Sequence, residues 1–262
     1  MQLTLALAQC GHRVDGDALA LVADWAARAA GQGAQLLVFP ECLMTPYEKE
    51  PADYAASAQP ADGPFACGVA AVAAQHGLWI AFSANEADPA GGRPFNSALV
   101  VDAAGELRLH YRKVHLFDAG SYRESAKMQA GSKLPAPIDT PWGKLGVGVC
   151  YDLRFCEFAR AQALAGCDVL LYPAAWVAGP NKVRQWRTLL AARAIENGMF
   201  VAGLSRCGGV YAAHSAVYAP DGRALALAGD GEELLVATLD LDEVAAAREA
   251  VPVLRHRRPE LY

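Results

Sequence analysis

The sequence predicts an α/β fold, a four-layer α-β-β-α sandwich made of two pseudo-repeated β-α-β-α-β-β halves. Apolar strand patterns alternate with helical patterns along the chain, which is typical of a sheet covered by helices. The same order of elements occurs before and after a proline-containing connection over 131–143. The halves share no obvious sequence identity, so the repeat is one of architecture. Four layers result if the uncovered faces of the two sheets meet, and we interpret 1–262 as a single domain.

In the first half, the patterns predict three strands separated by two helices and followed by a hairpin. The strands are expected over 3–9, 35–41 and 78–86, and the helices over 17–30 and 64–76. Asp17 is expected to cap the first helix and Gly31 to end it. Ala103-Ala104-Gly105 indicates a turn between two further strands, "NSALVVD" and "ELRLHYRK".

The second half repeats this order. Strands are expected over 145–150, 168–176 and 199–205, and helices over 156–166 and 183–198. The remaining run, 213–241, is interpreted as three more strands of the same half. They are separated by two strong turn signals, Asp221-Gly222 and Gly229-Asp230-Gly231.

Composition excludes several classes of protein. With 262 residues, of which 53% are hydrophobic and 19% charged, the chain can bury a large core. A net charge of −5 gives no basic surface for nucleic acid. The N-terminus lacks the basic segment of a signal peptide, and no apolar run approaches the roughly 20 residues that span a bilayer. We therefore expect neither a nucleic-acid nor a membrane partner.

The cysteines favour a reducing, cytoplasmic location. There are seven, an odd number, without a CxxC pair. This pattern is typical of free thiols rather than of a disulfide framework or a zinc ribbon. Cys and His residues are not clustered, so we expect no metal site and no cofactor.

Four polar residues lie where ligands usually bind, beyond the carboxyl ends of strands. Glu41 follows "LLVFP", Lys113 ends "LRLHYRK", Cys150 ends "LGVGV", and Glu124 lies in the loop "SYRESAKMQAG". Each has an ordinary structural explanation when taken alone. The glutamates would be solvated or capping, the lysine would extend to the surface, and the cysteine would be an inert core residue.

Taken together, these residues form a coherent set for acyl transfer. A thiol is only a few per cent ionised at neutral pH, so Cys150 needs a base, and Glu41 can act as one. An ammonium such as Lys113 can stabilise the oxyanion of a tetrahedral intermediate. The backbone N–H of Tyr151 would be a second oxyanion donor. Gly146 and Gly148 would let backbone or substrate approach the strand closely.

Three segments carry a resemblance to a known family. "VFPE" (38–41), "YRKVHLF" (111–117) and "GVGVCYDLRF" (146–155) resemble, in this order, the three motif regions of the nitrilase, or carbon–nitrogen hydrolase, superfamily. "YPAAW", "ARAIENGMFVAG" and "RRPELY" are similar to segments of its amidase-type members. The resemblance covers essentially the whole chain. It implies the same α-β-β-α sandwich and a homodimer or higher homo-oligomer.

The resemblance also implies roles for individual residues. The family's Glu-Lys-Cys triad falls on Glu41, Lys113 and Cys150, and its second glutamate on Glu124. True nitrilases of the family follow the cysteine with Trp-Glu, whereas this chain has Tyr151-Asp152, which resembles the amidase side, including omega-amidases. Cys156 stands where the amidases often have proline, a change expected to affect packing only.

Two further residues have two interpretations each. Arg154 either binds a substrate carboxylate or forms an ion pair with Asp152 or Glu157 that braces the nucleophile turn. Trp176 either lines the pocket wall or packs in the core.

The sequence therefore predicts a cofactor-independent amidase that opens a small carboxamide through a cysteine thioester. It would release ammonia and a carboxylate. Nitrile hydrolysis, transamidation and N-carbamoyl hydrolysis remain open, because they use the same acyl-enzyme or an analogous one. A histidine base for Cys150 also remains open, with His110, His115 and His214 as candidates. A non-catalytic protein that retains the family scaffold is a further alternative.

Overall fold

The computed structural model describes residues 1–11, 17–45, 54–120 and 122–261. Within them the chain forms two six-stranded sheets, a two-stranded ribbon and helices on the sheets. The strands are β1 (Gln2–Gln9), β2 (Leu36–Val38), β3 (Trp79–Glu86), β4 (Phe95–Val101), β5 (Leu107–Arg112), β6 (Asp118–Ala119), β7 (Tyr122–Arg123), β8 (Ile138–Thr140), β9 (Gly143–Val147), β10 (Val169–Ala174), β11 (Phe200–Ser205), β12 (Ala216–Tyr218), β13 (Ala224–Leu227) and β14 (Glu233–Asp240). The α-helices are α1 (Ala18–Gly31), α2 (Tyr54–Ser57), α3 (Pro64–His76), α4 (Cys156–Leu164), α5 (Lys182–Asn197) and α6 (Asp242–Ala250).

The first sheet has the strand order β14-β1-β2-β3-β4-β5. Its central strands β1, β2 and β3 are parallel, and the crossover connections between them contain α1 and α3. The expected cap is confirmed, because the Asp17 side chain accepts a hydrogen bond from the backbone N–H of Leu19 at 2.8 Å. The expected hairpin joins β4 to β5 and turns at Gly105, whose φ of 84° is favourable for glycine.

The second sheet repeats this arrangement in the order β13-β12-β11-β10-β9-β8. Strands β9, β10 and β11 are parallel, with α4 and α5 in the connections between them. Strands β12 and β13 continue the sheet as an antiparallel hairpin. The predicted repeat of parallel strands and helices is therefore present in both halves.

The core shows how the layers pack. Alternate residues of β1, namely Leu3, Leu5 and Leu7, share one apolar cluster with the strands of the second sheet. The intervening residues Ala6 and Ala8 belong to a separate cluster with α1 and α3. One face of the first sheet thus meets the second sheet and the other meets its helices, as the α-β-β-α sandwich requires.

The assignment of the last strand to the second half was wrong. Strand β14 pairs with β1 in the first sheet, in an antiparallel register from Gln2↔Asp240 to Gln9↔Glu233. The turn signal at 229–231 is therefore a crossover between sheets rather than a hairpin. Helix α6, strand β8 and the short α2 were not predicted. The signal for α6 was present, since two acidic residues open an alanine-rich segment that has Arg248 in its last turn.

Strand β9 is also shorter than predicted, since it ends at Val147. Cys150 lies three residues further on, at the start of a 3₁₀ turn over Cys150–Arg154. Its φ is 46°, in the left-handed region that non-glycine residues seldom adopt. The nucleophile candidate is thus presented by a sharp turn rather than by the strand itself.

Candidate active site

The fold brings the four candidate residues into one buried cluster. Their exposed fractions are 4% for Glu41, 2% for Lys113, 6% for Glu124 and 9% for Cys150. Lys113 Nζ lies 2.8 Å from Glu41 Oε1 and 2.9 Å from Glu124 Oε2. Glu41 and Cys150 line the same pocket, and each of these two groups shifts the pKa of the other. One ammonium is therefore shared by two carboxylates, and one of these also interacts with the thiol.

Glu41 is fixed by the chain around it. It follows β2 after Phe39 and Pro40 and precedes Cys42, which has a left-handed φ of 59°. Its Oε2 accepts the backbone N–H of Ala175 at 2.8 Å. The buried guanidinium of Arg206 donates to the Cys42 carbonyl oxygen at 3.0 Å and so supports this unusual backbone. The carboxylate consequently has a single defined orientation.

Glu124 lies in a short 3₁₀ turn after β7 and is buried, although a solvated glutamate is the usual expectation in a loop. Its Oε2 accepts the backbone N–H of Phe117 at 2.7 Å. This bond ties the Glu124 loop to the segment that follows Lys113.

Asn96 on β4 was not predicted from the sequence. Its amide donates to Glu41 Oε1 at 2.7 Å and to Glu124 Oε1 at 3.2 Å. A neutral donor between two carboxylates reduces their repulsion and fixes their separation. A lone asparagine inside an apolar strand, "FNSALVV", was the available signal.

The two glycines before Cys150 have a different role from the one predicted. A Cβ at Gly148 would lie 2.7 Å from the rings of Phe158 and Tyr172, and a Cβ at Gly146 would lie 2.7 Å from Gln162 Oε1. These glycines make room for the protein's own side chains under the nucleophile turn rather than for a substrate.

The electrostatics of the cluster favour a neutral thiol beside a charged base. Burial raises the pKa of Glu41, but Lys113 and the hydrogen bonds outweigh it, so the pKa is lowered overall. Burial lowers the pKa of Lys113, but the Glu124 and Glu41 carboxylates raise it well above its usual range. Burial and the neighbouring Glu41 carboxylate raise the pKa of Cys150 well above that of a free thiol. At rest, the site therefore holds an ionised glutamate beside a neutral thiol.

A pocket opens onto this cluster and is lined by both polar and aromatic side chains. Phe117, Tyr151 and Trp176 line it. The ring of Tyr151 packs edge-on against Phe117 at a centroid distance of 5.0 Å. Trp176 matches both interpretations, since it lines the pocket and packs at 5.0 Å from the ring of Trp186 in the core.

Two cations form another part of the pocket wall. The guanidinium of Arg154 donates to Gln185 Oε1 at 2.9 Å and lies 4.8 Å from the Trp176 ring centroid. Lys182 Nζ lies 5.7 Å from the same ring and was not singled out from the sequence. Across the described ranges, neither cation has a carboxylate within ion-pair distance. The expected bracing ion pair of Arg154 with Asp152 or Glu157 is therefore not formed.

The three histidines considered as a base are bonded elsewhere. His110 contacts Glu86 at 2.6 Å, His115 contacts Asp152 at 2.7 Å, and His214 contacts Asp230 at 2.8 Å. None of these three histidines lines the pocket. The structure thus gives Cys150 a carboxylate rather than one of these imidazoles as its neighbour.

The described residues contain no group of three or more His, Cys, Asp or Glu side chains arranged to hold a metal ion. No helix within them has both the length and the apolar character needed to cross a bilayer.

Comparison with known proteins places the chain among enzymes that act on carbon–nitrogen bonds. The family profile "Carbon-nitrogen hydrolase" matches residues 4–249. The omega-amidase NIT2 of Xenopus tropicalis is 34% identical over 247 residues, which cover 89% of this chain and 87% of that protein. The deaminated glutathione amidase of Escherichia coli O157:H7 is 34% identical over 232 residues, 88% of each chain.

The fold comparison agrees. A structure of a mutant of the amidase from Nesterenkonia sp. AN1, which shows the result of Michael addition of acrylamide at the active-site cysteine, superposes with a TM-score of 0.83. The two sequences are 30% identical, and the match covers 99% of this chain and 98% of that one.

Proposed function

This chain belongs to the carbon–nitrogen hydrolase family and hydrolyses the C–N bond of an amide, and we propose that four buried side chains carry out the reaction on a small carboxamide. They are Glu41, Lys113, Glu124 and Cys150. The observation that supports this assignment most strongly is the Glu41 carboxylate, which bonds the Lys113 ammonium and lines the same pocket as the Cys150 thiol, whose pKa it shifts. The span 1–262 would act as one hydrolase domain.

In the first half-reaction, Cys150 Sγ attacks the amide carbon while Glu41 takes the thiol proton. The C–N bond then breaks as Glu41 passes this proton to the leaving nitrogen, which departs as ammonia. The acyl group remains on Cys150 as a thioester. Because the pKa of Cys150 is raised, proton removal has to accompany attack rather than precede it.

The tetrahedral intermediate needs donors for its oxyanion. Lys113 Nζ supplies one, and the backbone N–H of Tyr151 is the second that we propose. Loss of one such donor typically costs about 3 kcal/mol of transition-state stabilisation. In the second half-reaction, Glu41, assisted by Glu124, takes a proton from water as the water oxygen adds to the thioester carbon. The C–S bond then breaks as Glu41 returns this proton to Cys150 Sγ, which restores the thiol and releases the acid, ionised to its carboxylate at neutral pH.

The substrate would carry an anionic group distant from its amide. Arg154 and Lys182 lack a described carboxylate partner and line the pocket that opens onto Cys150. A carboxylate between them would neutralise two cations in a wall otherwise rich in aromatic rings. The chain is similar to an omega-amidase and a deaminated glutathione amidase, in agreement with an amide as the reacting group of the substrate. Trp176 would form the apolar wall between the two ends of the substrate.

We also propose a cytoplasmic homo-oligomer. All seven cysteines are free thiols, which suits a reducing compartment. Leu164, Ile195 and Val251 expose large apolar side chains in the second half of the chain, where a second copy could cover them. Light scattering on the purified protein tests the assembly, and a monomeric mass would contradict it.

An ammonia-release screen tests the function. Glutaramate and pentanamide form a matched pair that differs in a terminal carboxylate, and glutamine and alpha-ketoglutaramate extend the set. We expect ammonia and carboxylate in equal amounts, with the anionic amides preferred. An N-carbamoyl compound and a nitrile analogue are screened alongside. Carbon dioxide released from the N-carbamoyl compound at a higher rate than ammonia from the amides would instead indicate a carbamoyl substrate, and preference for the nitrile would contradict amide specificity.

A further inference from the structure

The turn that carries Cys150 needs support from outside itself. Cys150 has a φ of 46°, a backbone conformation that residues with a Cβ adopt only where the surrounding structure enforces it. The direction of the thiol toward Glu41 depends on this conformation. A group that holds the turn therefore controls the alignment of nucleophile and base.

Asp152 is that group. Its carboxylate is fully buried, and Oδ2 accepts the backbone N–H of Val149 at 2.7 Å and the hydroxyl of Tyr111 at 2.9 Å. The backbone N–H of Asp152 in turn donates to the Val149 carbonyl oxygen at 3.0 Å. The side chain and backbone of Asp152 thus close the turn on both sides of Cys150.

His115 holds the other oxygen of Asp152. Its Nδ1 lies 2.7 Å from Asp152 Oδ1, and its ring stacks on Phe155 at a centroid distance of 3.7 Å with planes only 10° apart. No lysine or arginine in the described part of the chain forms an ion pair with Asp152. The imidazole is thus the side chain that contacts Oδ1, while the Tyr111 hydroxyl donates to Oδ2.

The position of His115 links two parts of the site. It lies two residues after Lys113 and two before Phe117, whose backbone N–H donates to Glu124 at 2.7 Å. One five-residue segment therefore contacts the ammonium site, the second glutamate and the support of the nucleophile turn.

We propose that His115 is a positioning residue for the nucleophile. By donating from Nδ1 to Asp152, it fixes the carboxylate that closes the Cys150 turn and keeps this turn in register with Glu41 and Lys113. His115 does not exchange a proton with Cys150. The proposal rests on Cys150 being the nucleophile, as set out under the proposed function.

Three variants separate positioning from mere folding. His115→Ala removes the donor, His115→Asn retains a donor near the position of Nδ1, and His115→Gln places it near that of Nε2. His110→Ala is the matched control, because it removes a histidine–carboxylate contact of similar length (2.6 Å) and similar side-chain exposure (34% against 30%) at Glu86. Each variant is assayed for kcat and KM, for unfolding temperature, and for the rate of Cys150 alkylation by iodoacetamide, read by peptide mapping.

We expect His115→Ala to lower kcat about 100-fold with KM changed less than about threefold, the scale of a small misalignment of reacting groups. His115→Asn should recover kcat to within about tenfold of the parent protein, His115→Gln should not, and His110→Ala should leave kcat unchanged. The rate of Cys150 alkylation should likewise fall in His115→Ala and His115→Gln, fall less in His115→Asn, and stay unchanged in His110→Ala. If His115→Ala does not fold, the comparison of kcat between His115→Asn and His115→Gln tests the proposal.

Two outcomes would overturn the proposal: a kcat for His115→Ala within about threefold of the parent, or an Asn variant no better than Gln. Alkylation needs no turnover, so it tests positioning even if the screen detects no amidase activity. Failure of the proposed function and failure of this inference are therefore distinguishable.

Discussion

Glu41 Oε1 and Lys113 Nζ, from residues 72 positions apart in the chain, lie 2.8 Å apart in a site where both side chains are almost completely buried. A buried ion pair is costly to break, because removal of one partner leaves an uncompensated charge, at about 3–5 kcal/mol. Here Glu124 shares the ammonium, so the site can tolerate neutralisation of Glu41 during proton transfer.

The Glu41→Gln variant tests the assignment of the base. Glutamine keeps the shape and one acceptor but cannot take the thiol proton, so we expect kcat to fall by about 10²–10⁴. Glu124 should keep Lys113 partnered and the protein folded. The exposed Glu157→Gln variant is the control and should be fully active. A near-normal rate in Glu41→Gln would show that another group is the base.

The pH dependence of kcat/KM distinguishes a carboxylate base from an imidazole. Because the pKa of Glu41 is lowered, its carboxylate is present throughout the neutral range and is lost only as pH falls below the ordinary glutamate value. The pKa of Lys113 is raised, so its ammonium persists above its usual range. We expect a plateau from about pH 6 to 9. An acid limb near pH 6.5 would instead favour a histidine.

The lowered pKa of Glu41 should also make the stability of the fold depend on pH. A carboxylate whose pKa is lower in the folded than in the unfolded state stabilises the fold above its unfolded pKa, and this contribution disappears as pH falls through the folded value. Glu41 should therefore add to stability at neutral pH and not in strong acid. Its removal should lower the unfolding temperature at pH 7 more than at pH 3.

The two cations in the pocket wall should determine substrate preference. Lys182→Met and Arg154→Met each remove one charge-assisted hydrogen bond, worth about 1.5–3 kcal/mol. We expect KM for glutaramate to rise about 10–100-fold while the kinetics with pentanamide stay nearly constant. Lys133→Met, on the exposed surface, is the control. Equal effects on both amides would contradict an anion subsite.

Asn96 should influence the pKa of the two carboxylates to which it donates hydrogen bonds. The Asn96→Asp variant places a third carboxylate beside Glu41 and Glu124, and like charges at this distance raise one another's pKa. We expect the acid limb of kcat/KM to move to higher pH and kcat to fall at pH 6. Asn96→Ser, which keeps a donor without a charge, should leave the limb in place. An unchanged limb in Asn96→Asp would show that Asn96 does not control the ionisation of these glutamates.

Much of the site could be predicted from the sequence because its chemistry lies at strand ends. Glu41 and Cys150 each follow an apolar run, so the strand pattern already places each of them beyond the carboxyl end of a strand, one in each sheet. Asn96 and Lys182 were not predicted as site residues, because a single polar residue forms no motif whose spacing would indicate a function. Their importance comes from neighbours far away in the chain.

The sequence predicted the repeated strands and helices of the two halves, but it did not predict that the last strand pairs with the first. Local patterns gave the parallel strands and helices of both halves, since each depends on residues near in sequence. The pairing of β14 with β1 joins residues on opposite ends of the chain, and no local pattern encodes it. The left-handed φ of Cys150 is likewise invisible in an apolar run, because it is enforced by Asp152 and the contacts around it.

The measurement that tests the central claim most directly is ammonia release by the Cys150→Ala variant, with unfolding temperature recorded alongside. If Cys150 forms the acyl-enzyme, turnover should fall by at least about 10³-fold while the unfolding temperature changes little. Cys67→Ala, which removes an exposed thiol on α3, should keep full activity. Substantial ammonia release by a folded Cys150→Ala protein would contradict a thioester mechanism at this residue.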